Sequence, residues 1–424
     1  MKLTSEAKYQ LLLDISHQVR DTLDLDDIMQ HLLDVVRSVL EYDAAGIFVL
    51  NQDLVRGRHE TSLGMIAGIA RRGFDPNPPE NDDMLMRGQG ITGYVIQHCT
   101  SVVVQDVRQE PRYVEGRRTT RSEIAVPIIR NERAIGALNL ESDRVSVYHA
   151  EDVEVLQLIA DAASISIEKA MLHKQLMEQM LINRQLETAR EVQSRLLPNE
   201  APELEGYDIA GICIPTDDIG GDYFDYISFS PGCLGLAIAD VSGHGISSAL
   251  VMTAFRALLR TQARGRSTPA GIASVINQIL PEFTGDHHFV TALYAVLDAA
   301  SGKLTYVSCG HPAPFKLRAN GEVEKLDNHN PALGIFQDLN YTDGLSTMDE
   351  GDILGMYTDG VIELMDRAGQ TFGLQRLTDV IRENEHESAA EIIYKIIQAT
   401  ESHSDHYGYL DDFTLVIVHR KRSD

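Results

Sequence analysis

Tryptophan is absent from the 424-residue chain, cysteine occurs only four times, and no long apolar run is present. The four cysteines form no Cys-x-x-Cys pair, so the sequence predicts neither a disulfide framework nor a zinc site. No stretch of about 18 uninterrupted apolar residues occurs, and the N-terminal segment lacks the apolar core of a signal peptide. These absences predict a cytoplasmic protein that does not span a membrane.

Positive charge is also in short supply. The chain has 37 Lys and Arg against 63 Asp and Glu, which gives a formal net charge of -26. Because nucleic acids and anionic lipids attract clustered basic residues, this balance argues against both as partners. The length is too great for one typical core, so two or three domains are expected.

The first part of the chain alternates helical and extended patterns. A helical pattern lies within 11–51, with apolar residues at three- and four-residue steps from Leu25 to Leu40, and a strand-like run covers 44–50. Residues 71–90 are rich in Gly, Pro, Asn and Asp, which predicts a long loop. A short helix at 91–98 and strands at 101–105, 122–130 and 134–141 complete one α/β domain, assigned to 1–165.

A long helix is predicted from about 150 to 197, because no Gly or Pro interrupts this stretch before Pro198. Apolar residues near its end, from Ile182 to Leu196, recur at steps typical of a coiled coil, although Gln193 interrupts them. We assign 166–198 to a helical linker and favour a homodimer. Packing of the helix on the chain's own domains is the alternative.

The remainder, 199–424, alternates strands and helices and is large enough for one domain. Seven strands and four helices are expected, which favours a layered α/β fold with a mostly antiparallel sheet. Four short acidic motifs stand out in this part. They are Gly220-Gly221-Asp222-Tyr223-Phe224-Asp225, Asp240-Val241-Ser242-Gly243-His244-Gly245, Thr358-Asp359-Gly360 and Asp411-Asp412-Phe413-Thr414.

Each motif places an aspartate where an apolar strand-like run meets a turn, or just before such a run. Singly, an Asp beside Gly is more often a turn residue than a ligand. Four carboxylates gathered together, however, repel one another unless cations lie between them. Oxygen ligands suit Mg²⁺ and Mn²⁺, and two such ions about 3.5–4 Å apart activate a water for attack on phosphorus. The set therefore predicts a two-metal hydrolytic site.

The four motifs, with the lead-in 189–198, resemble the PPM metal-dependent serine/threonine phosphatases, and specifically their SpoIIE-like branch of bacterial stress and sporulation regulators. The resemblance covers about 186–420 and implies an αββα sandwich with two Mn²⁺ or Mg²⁺ ions. It implies that Asp240 bridges both ions and that the Val241 carbonyl binds one. Asp359 and Asp411 would complete the shell of the first ion, and Asp222 would hold the second.

The resemblance also bears on the residues around those ligands. No phosphate-binding arginine lies beside Gly220–Asp225. Members of the SpoIIE-like branch generally lack this arginine as well. Asp225 and Asp412 are expected to support the ligands, and His244 is interpreted as part of a turn in preference to a general acid. The helix after Gly245 is a candidate regulatory element.

The N-terminal part, about 10–170, resembles a GAF sensory domain. The resemblance rests on Gly88-Gln89-Gly90-Ile91-Thr92-Gly93-Tyr94-Val95, on Val102–Val107, on Glu123–Ile128 and on Ala134–Leu140. It implies control by a small molecule or a protein signal whose identity the sequence does not give. The order His98-Cys99 is the reverse of a bilin attachment point, and the cyclic-nucleotide signature of the family is not found.

The resulting hypothesis is a signal-regulated phosphatase that hydrolyses phosphoserine or phosphothreonine on a protein, with an anti-sigma-factor antagonist as the substrate that the resemblance suggests. A non-catalytic ligand-binding scaffold is the alternative from a different class, and it would predict loss of the metal-ligand carboxylates. A nucleotide cyclase is disfavoured, because Tyr223 stands where the similar Gly-Gly-Asp-Glu-Phe signature has Glu.

Overall fold

The computed structural model describes residues 13, 22–50, 66–74, 89–217, 219–265, 268–284, 288–336, 338–404 and 411–422, with the backbone alone for 66–69. The start of the helical pattern predicted within 11–51 and most of the loop predicted at 71–90 lie outside these residues. The chain divides into two compact units, Met1–Leu181 and Ile182–Asp424. The domain boundaries assigned from the sequence stay predictions.

The first unit contains one antiparallel sheet of five strands in the order β2-β1-β5-β4-β3. Its elements are α1 (Leu25–Val39), β1 (Ala44–Leu50), β2 (Ile66–Arg72), α2 (Gly90–His98), β3 (Val102–Val104), a 3-10 helix (Val107–Gln109), β4 (Ser122–Arg130), β5 (Arg133–Ser142) and the start of α3 (Ala150–Ser194). Strand β2 was missed, because its sequence runs into the segment that was predicted to be a loop.

Both faces of this sheet are covered. Helix α1 begins at the cap residue Asp24, whose carboxylate accepts hydrogen bonds from the backbone amides of Asp26 and Asp27. Its apolar stripe and the first half of α3 pack on one face of the sheet. Helix α2 packs on the other face through Ile91, Val95 and Ile96. This is the α/β architecture that the sequence predicts for the first domain.

Helix α3 is 45 residues long. Its buried side chains end at Ala170, and most of the side chains beyond that point are exposed. It ends at Ser194, three residues before the predicted end. None of the described helices is both long enough and apolar enough to cross a bilayer.

The second unit contains two antiparallel five-stranded sheets, β13-β10-β9-β8-β7 and β12-β11-β14-β15-β6. Its strands are β6 (Tyr207–Ile214), β7 (Tyr223–Ser230), β8 (Cys233–Val241), β9 (Val290–Asp298), β10 (Lys303–Cys309), β11 (Phe315–Leu317), β12 (Val323–Lys325), β13 (Gly344–Thr347), β14 (Ile353–Tyr357) and β15 (Phe413–Arg420). Its helices, after the end of α3, are α4 (Ile246–Ala263), α5 (Pro269–Ile279), α6 (Pro281–Thr284), α7 (Asp359–Ile362), α8 (Gly373–Glu383) and α9 (Ala389–His403).

Three apolar layers hold this unit together. The two sheets face each other across a core that joins residues such as Leu236 and Ile238 of one sheet to Met356 and Val416 of the other. Helices α4 and α5 cover the outer face of the first sheet. Helices α8 and α9 cover the outer face of the second. The αββα sandwich expected from the resemblance is therefore confirmed.

Asp225 is an exception to the expected roles. It is the third residue of β7 and lies on the same strand face as Tyr223, whereas Asp222 precedes the strand. Asp225 is buried under α4, where Arg260 forms a two-pronged ion pair with it and the hydroxyl of Tyr223 donates a further hydrogen bond. It anchors α4 to the sheet, so the expectation that it supports the metal ligands was wrong.

Candidate active site

The candidate site forms because the inner faces of both sheets change from apolar to polar at the same edge of the sandwich. Along β8, Leu236 and Ile238 fill the core between the sheets, and Asp240 is the next residue on that face. Along β14, Met356 is followed on the same face by Thr358. Strands β7 and β15 begin at this edge, so Asp222 precedes one and Asp412 precedes the other.

The segment Gly220–Asp222 is held by Asp412. The carboxylate of Asp412 accepts hydrogen bonds from the backbone amides of Thr216, Gly221 and Asp222. A Cβ atom at residue 220 would lie 2.4 Å from Asp412 Oδ2, so glycine is required there for this close approach. Asp412 is therefore a positioning residue, as the sequence suggested.

Val241 places its carbonyl oxygen beside this segment. A Cβ atom at residue 221 would lie 2.9 Å from that oxygen and 3.2 Å from Cβ of Ser248 on α4. The chain then turns through Gly243 and Gly245, whose φ angles of +89° and +78° favour glycine. Helix α4 therefore starts within a few residues of Asp240.

The second sheet contributes Asp359 and Asp411. Asp359 is the first residue of α7 and is separated from β14 only by Thr358, and Asp411 comes two residues before β15. A Cβ atom at residue 360 would lie 2.1 Å from the Asp412 carbonyl oxygen, which shows how closely the two segments approach. The hydroxyl of the buried Thr358 donates a 2.8 Å hydrogen bond to Asp222 Oδ2 and so links the two sheets.

Burial and neighbouring carboxylates raise the pKa values of Asp222, Asp240 and Asp359. Burial, and then the charges of Asp359, Asp411 and Asp412, raise the pKa of Asp240 to about 7. Burial and the charge of Asp240 raise the pKa of Asp222 well above its usual value, and burial and Asp411 raise that of Asp359. All four aspartates predicted from the sequence thus belong to one electrostatic cluster.

A cavity of about 440 Å³ opens beside this cluster. It is lined by Thr216, Asp217, Ile219, Asp240, Gly243, His244, Gly245, Asp411 and Asp412. No Lys or Arg belongs to the lining among the residues that the structure describes. Within the same described ranges, no three carboxylate, imidazole or thiolate side chains already converge to enclose an ion.

The fit to divalent cations therefore rests on charge and donor chemistry. The cavity wall includes the carboxylates of Asp217, Asp240, Asp411 and Asp412. Burial, and then the charges of Asp359, Asp411 and Asp412, raise the pKa of Asp240. Mg²⁺ and Mn²⁺ prefer such oxygen donors and retain several waters, for which the cavity has room. The residues present fit these ions.

His311 is a site residue that the sequence analysis missed. Its Nδ1 atom lies 2.9 Å from the hydroxyl of Thr291, which is the cross-strand partner of Asp240. Burial lowers its pKa to about 3, against an opposing contribution from the backbone of Tyr357, so the ring is neutral. The sequence signal was Gly310-His311-Pro312 directly after a strand.

His244 stands at the rim of the cavity. Its side chain is exposed, and its Nδ1 atom lies 3.5 Å from Asp217 Oδ2. It sits between the two glycines of positive φ, which agrees with the turn interpretation.

Comparison with known proteins agrees with this architecture. Residues 230–421 match the family model of Stage II sporulation protein E, and residues 22–168 match the model of the GAF domain. The chain thus contains a segment that matches the GAF domain, followed by a segment that matches the SpoIIE family. The SiaA-PP2C domain of Pseudomonas aeruginosa superposes with a TM-score of 0.51 at 22% identity, over 58% of this chain and 99% of that domain, and so shares the fold.

Two curated relatives are similar in sequence. Phosphoserine phosphatase RsbU of Bacillus subtilis (strain 168) is 29% identical over 246 residues, which cover 57% of this chain and 72% of RsbU. Protein IcfG of Synechocystis sp. is 29% identical over 268 residues, which cover 56% of this chain and 42% of IcfG. The chain therefore spans less than half of the length of IcfG.

The raised pKa of Asp240 predicts how pH changes the stability of the metal-free protein. With a pKa of about 7 when folded and 3.8 as its ordinary value, the folded chain binds a proton there that the unfolded chain has released. Stability therefore falls as pH rises through this interval and is lowest above pH 7. We expect Asp240→Asn, in the presence of a chelator, to be more stable than the wild type at pH 8 by on the order of a few kcal/mol.

Urea unfolding at pH 5 and pH 8 measures this difference, which should shrink greatly at pH 5. Asp379→Asn, at an exposed carboxylate on α8, is the matched control and should change stability little at either pH. An Asp240→Asn variant less stable than the wild type at pH 8 would contradict the electrostatic description of the site.

Proposed function

We propose that this chain is a metal-dependent protein phosphatase that hydrolyses phosphoserine or phosphothreonine on a protein. The observation that carries the proposal is the electrostatic cluster that Asp222 and Asp240 from one sheet form with Asp359 and Asp411 from the other. Their mutual repulsion is relieved by cations, and two cations supply a water of lowered pKa as the nucleophile toward phosphorus.

In this proposal Asp222, Asp240, Asp359, Asp411 and the Val241 carbonyl oxygen are the protein ligands of two Mn²⁺ or Mg²⁺ ions. Supporting contacts fix their positions. Asp412 holds the backbone on which Asp222 stands, and Thr358 orients the Asp222 carboxylate by donating to Oδ2. His311, kept neutral by burial, holds Thr291 on the strand beside Asp240.

A protein substrate agrees with the open cavity beside these ligands. Since no basic side chain belongs to the described lining, the bound ions would neutralise the phosphate, and the partner's surface would position it. RsbU carries the name phosphoserine phosphatase, which supports the same chemistry here. We propose an anti-sigma-factor antagonist as the substrate and the cytoplasm as the place of action.

Catalysis is tested with Mn²⁺ and a phosphoserine peptide or an aryl phosphate. Because each ligand carboxylate positions an ion, Asp240→Asn and Asp359→Asn should lower kcat at least about a hundredfold. A chelator should abolish turnover, and Asp379→Asn should behave as the wild type.

A different result would favour one of the two alternative functions, a non-catalytic scaffold or a nucleotide cyclase. Should wild type and both variants show the same residual turnover with every divalent ion, with and without residues 1–185, the scaffold interpretation replaces the enzyme. Turnover of a purine triphosphate to a cyclic product would instead favour the cyclase.

The end of α3 offers a route for control by the GAF domain. The side-chain amide of Gln193 donates a 2.7 Å hydrogen bond to the Gly220 carbonyl, and its oxygen accepts one from the Gly220 amide. The guanidinium group of Arg256 on α4 donates to the Leu196 carbonyl. A signal transmitted along α3 would therefore reach both the segment that carries Asp222 and the helix that follows Asp240.

Removing these hydrogen bonds should weaken metal binding. We expect Gln193→Ala to raise the Mn²⁺ concentration for half-maximal activity about tenfold, because the backbone before Asp222 loses its support. Activity titrated with Mn²⁺, together with KM for the peptide, measures the effect, and KM should change little. Gln185→Ala, on an exposed part of α3, is the control. If Gln193→Ala and Gln185→Ala needed the same Mn²⁺ concentration for half-maximal activity, control through Gln193 would be excluded.

We also propose that α3 mediates a homodimer. Leu172, Leu176 and Met180 are 60%, 49% and 54% exposed and lie on one helix face at four-residue steps. A second copy of the same helix is the partner that an apolar stripe of this kind fits. Near the end of α3, Gln193 forms a hydrogen bond with Gly220. At that end of the linker the helix therefore contacts the chain's own domain.

Sedimentation velocity of the full chain at micromolar concentration should show a dimer. The double variant Leu172→Glu, Leu176→Glu should be monomeric, because it places charges in the apolar stripe. Gln185→Glu serves as the control for added charge. A monomeric wild type would contradict the proposal.

A further inference from the structure

Large apolar side chains are exposed beside the turn that forms one wall of the candidate active site. Two of them, Ile246 and Leu250, lie four residues apart at the start of α4 and therefore share one helix face. Three more lie directly before β9 or in the loop after Leu333, and these are Phe289, Ile335 and Phe336. We call these five exposed residues the apolar patch.

Ser242 attaches the patch to the cavity. Its backbone amide donates a 3.0 Å hydrogen bond to the Phe289 carbonyl oxygen, and its hydroxyl accepts a 2.9 Å hydrogen bond from the Phe289 amide. The residue after it, Gly243, lines the cavity, as does Gly245, which directly precedes Ile246. Both parts of the patch are therefore continuous with the turn that forms this wall of the cavity.

A backbone bridge brings the loop to the same place. Val290 and Leu333 form an antiparallel bridge in which each amide donates a 2.9 Å hydrogen bond to the other residue's carbonyl oxygen. In an antiparallel pair, the residue before one partner lies beside the residue after the other. Phe289 therefore lies beside Gly334, and Ile335 is the next residue of the loop.

The loop that carries Ile335 and Phe336 is fixed by Asn277 of α5. The side chain of Asn277 is fully buried. Its Oδ1 atom accepts a 2.9 Å hydrogen bond from the Gly334 amide, and its Nδ2 atom donates a 2.8 Å hydrogen bond to the Phe336 carbonyl oxygen. The backbone that presents the two apolar side chains is thus held in one conformation before any partner arrives.

Exposure on a fixed backbone is typical of an interaction site. Single exposed apolar side chains are ordinary on protein surfaces, whereas a group of them beside a cavity marks a place where another molecule binds. Aromatic side chains contribute strongly to such sites, and a loop that is already ordered loses little conformational freedom on binding. The 58% exposed ring of Phe336 meets both conditions.

Charge decides which molecule fits this place. The described lining of the cavity includes four aspartates and neither Lys nor Arg. A phosphorylated segment brings further negative charge, so the protein's side chains offer it no ion pair there. Attraction beyond the metal-bound phosphate must come from uncharged contacts, and burial of apolar surface is the strongest of these.

We propose that the apolar patch binds apolar side chains of the protein substrate that lie within a few residues of its phosphorylated residue. The inference rests on the proposed function and deepens it, because it names what the phosphatase recognises besides the phosphate group. The substrate class is thus a phosphoprotein whose phosphorylated residue is flanked by apolar residues.

Two phosphoserine peptides of equal length test the proposal, one with Leu and Phe on both sides of the phosphoserine and one with Gln and Ser in their place. With Mn²⁺, the wild type should have a kcat/KM at least about tenfold higher for the apolar peptide, chiefly through a lower KM, because burial of one large apolar side chain has an effect of that size.

The double variant Ile335→Ser, Phe336→Ser should lower this preference at least about fivefold, because two side chains of the patch are lost. Tyr394→Ser is the matched control, since Tyr394 is an aromatic residue of α9 that is 57% exposed. It should keep the wild-type ratio between the two peptides.

A second measurement needs no turnover. Because the chain contains no tryptophan, Phe336→Trp places a single indole in the patch. In a chelator, titration with the dephosphorylated apolar peptide should shift the indole emission to shorter wavelength in a saturable way, with a Kd of about millimolar. The dephosphorylated polar peptide should cause no shift, and Tyr394→Trp should respond to neither peptide.

Three outcomes overturn the inference. They are equal kcat/KM of the wild type for the two peptides, an equal loss of preference in Tyr394→Ser and the double variant, and a dimer of the full chain that the double variant dissociates, which would assign the patch to a second copy. A chain that hydrolyses both peptides equally contradicts only this inference. A chain whose indole responds to the apolar peptide but that hydrolyses no phosphate with any divalent ion contradicts the proposed function instead.

Discussion

Repulsion among buried carboxylates is the constraint on which the second unit depends. Two sheets pack an apolar core between them, and at one edge both replace apolar side chains by aspartates. Burial and mutual charge raise the pKa values of Asp222, Asp240 and Asp359 in the absence of a countercharge. Such an edge lowers stability, and a protein keeps it where function requires it. Bound divalent cations are the simplest partner for these carboxylates.

Two neighbouring residues fix the backbone segment that carries Asp222. The carboxylate of Asp412 accepts hydrogen bonds from backbone amides, so it fixes the segment that carries Asp222. Gln193 holds the same segment from the end of α3, which ties the linker to the backbone that precedes Asp222.

Much of this was predictable from the sequence. The pattern of strands and helices predicted a layered α/β fold, and the four aspartate motifs predicted the ligand candidates. The resemblance of those motifs to the PPM phosphatases implied the αββα sandwich. Strand β7 was not predicted, because its polar residues and its overlap with the first motif hid the two-residue alternation. The roles of Asp225 and His311 depend on contacts between residues distant in sequence, Arg260 in one case and Thr291 in the other, which no local pattern encodes.

The central claim is that the carboxylates of the two sheets share two divalent ions. Anomalous diffraction from crystals of the full chain soaked in Mn²⁺ tests it most directly. The account predicts two peaks about 3.5–4 Å apart, with the Asp240 carboxylate touching both and Asp359 touching one. Clear density for these side chains with no anomalous peak beside Asp240, or with peaks only elsewhere on the surface, would contradict it.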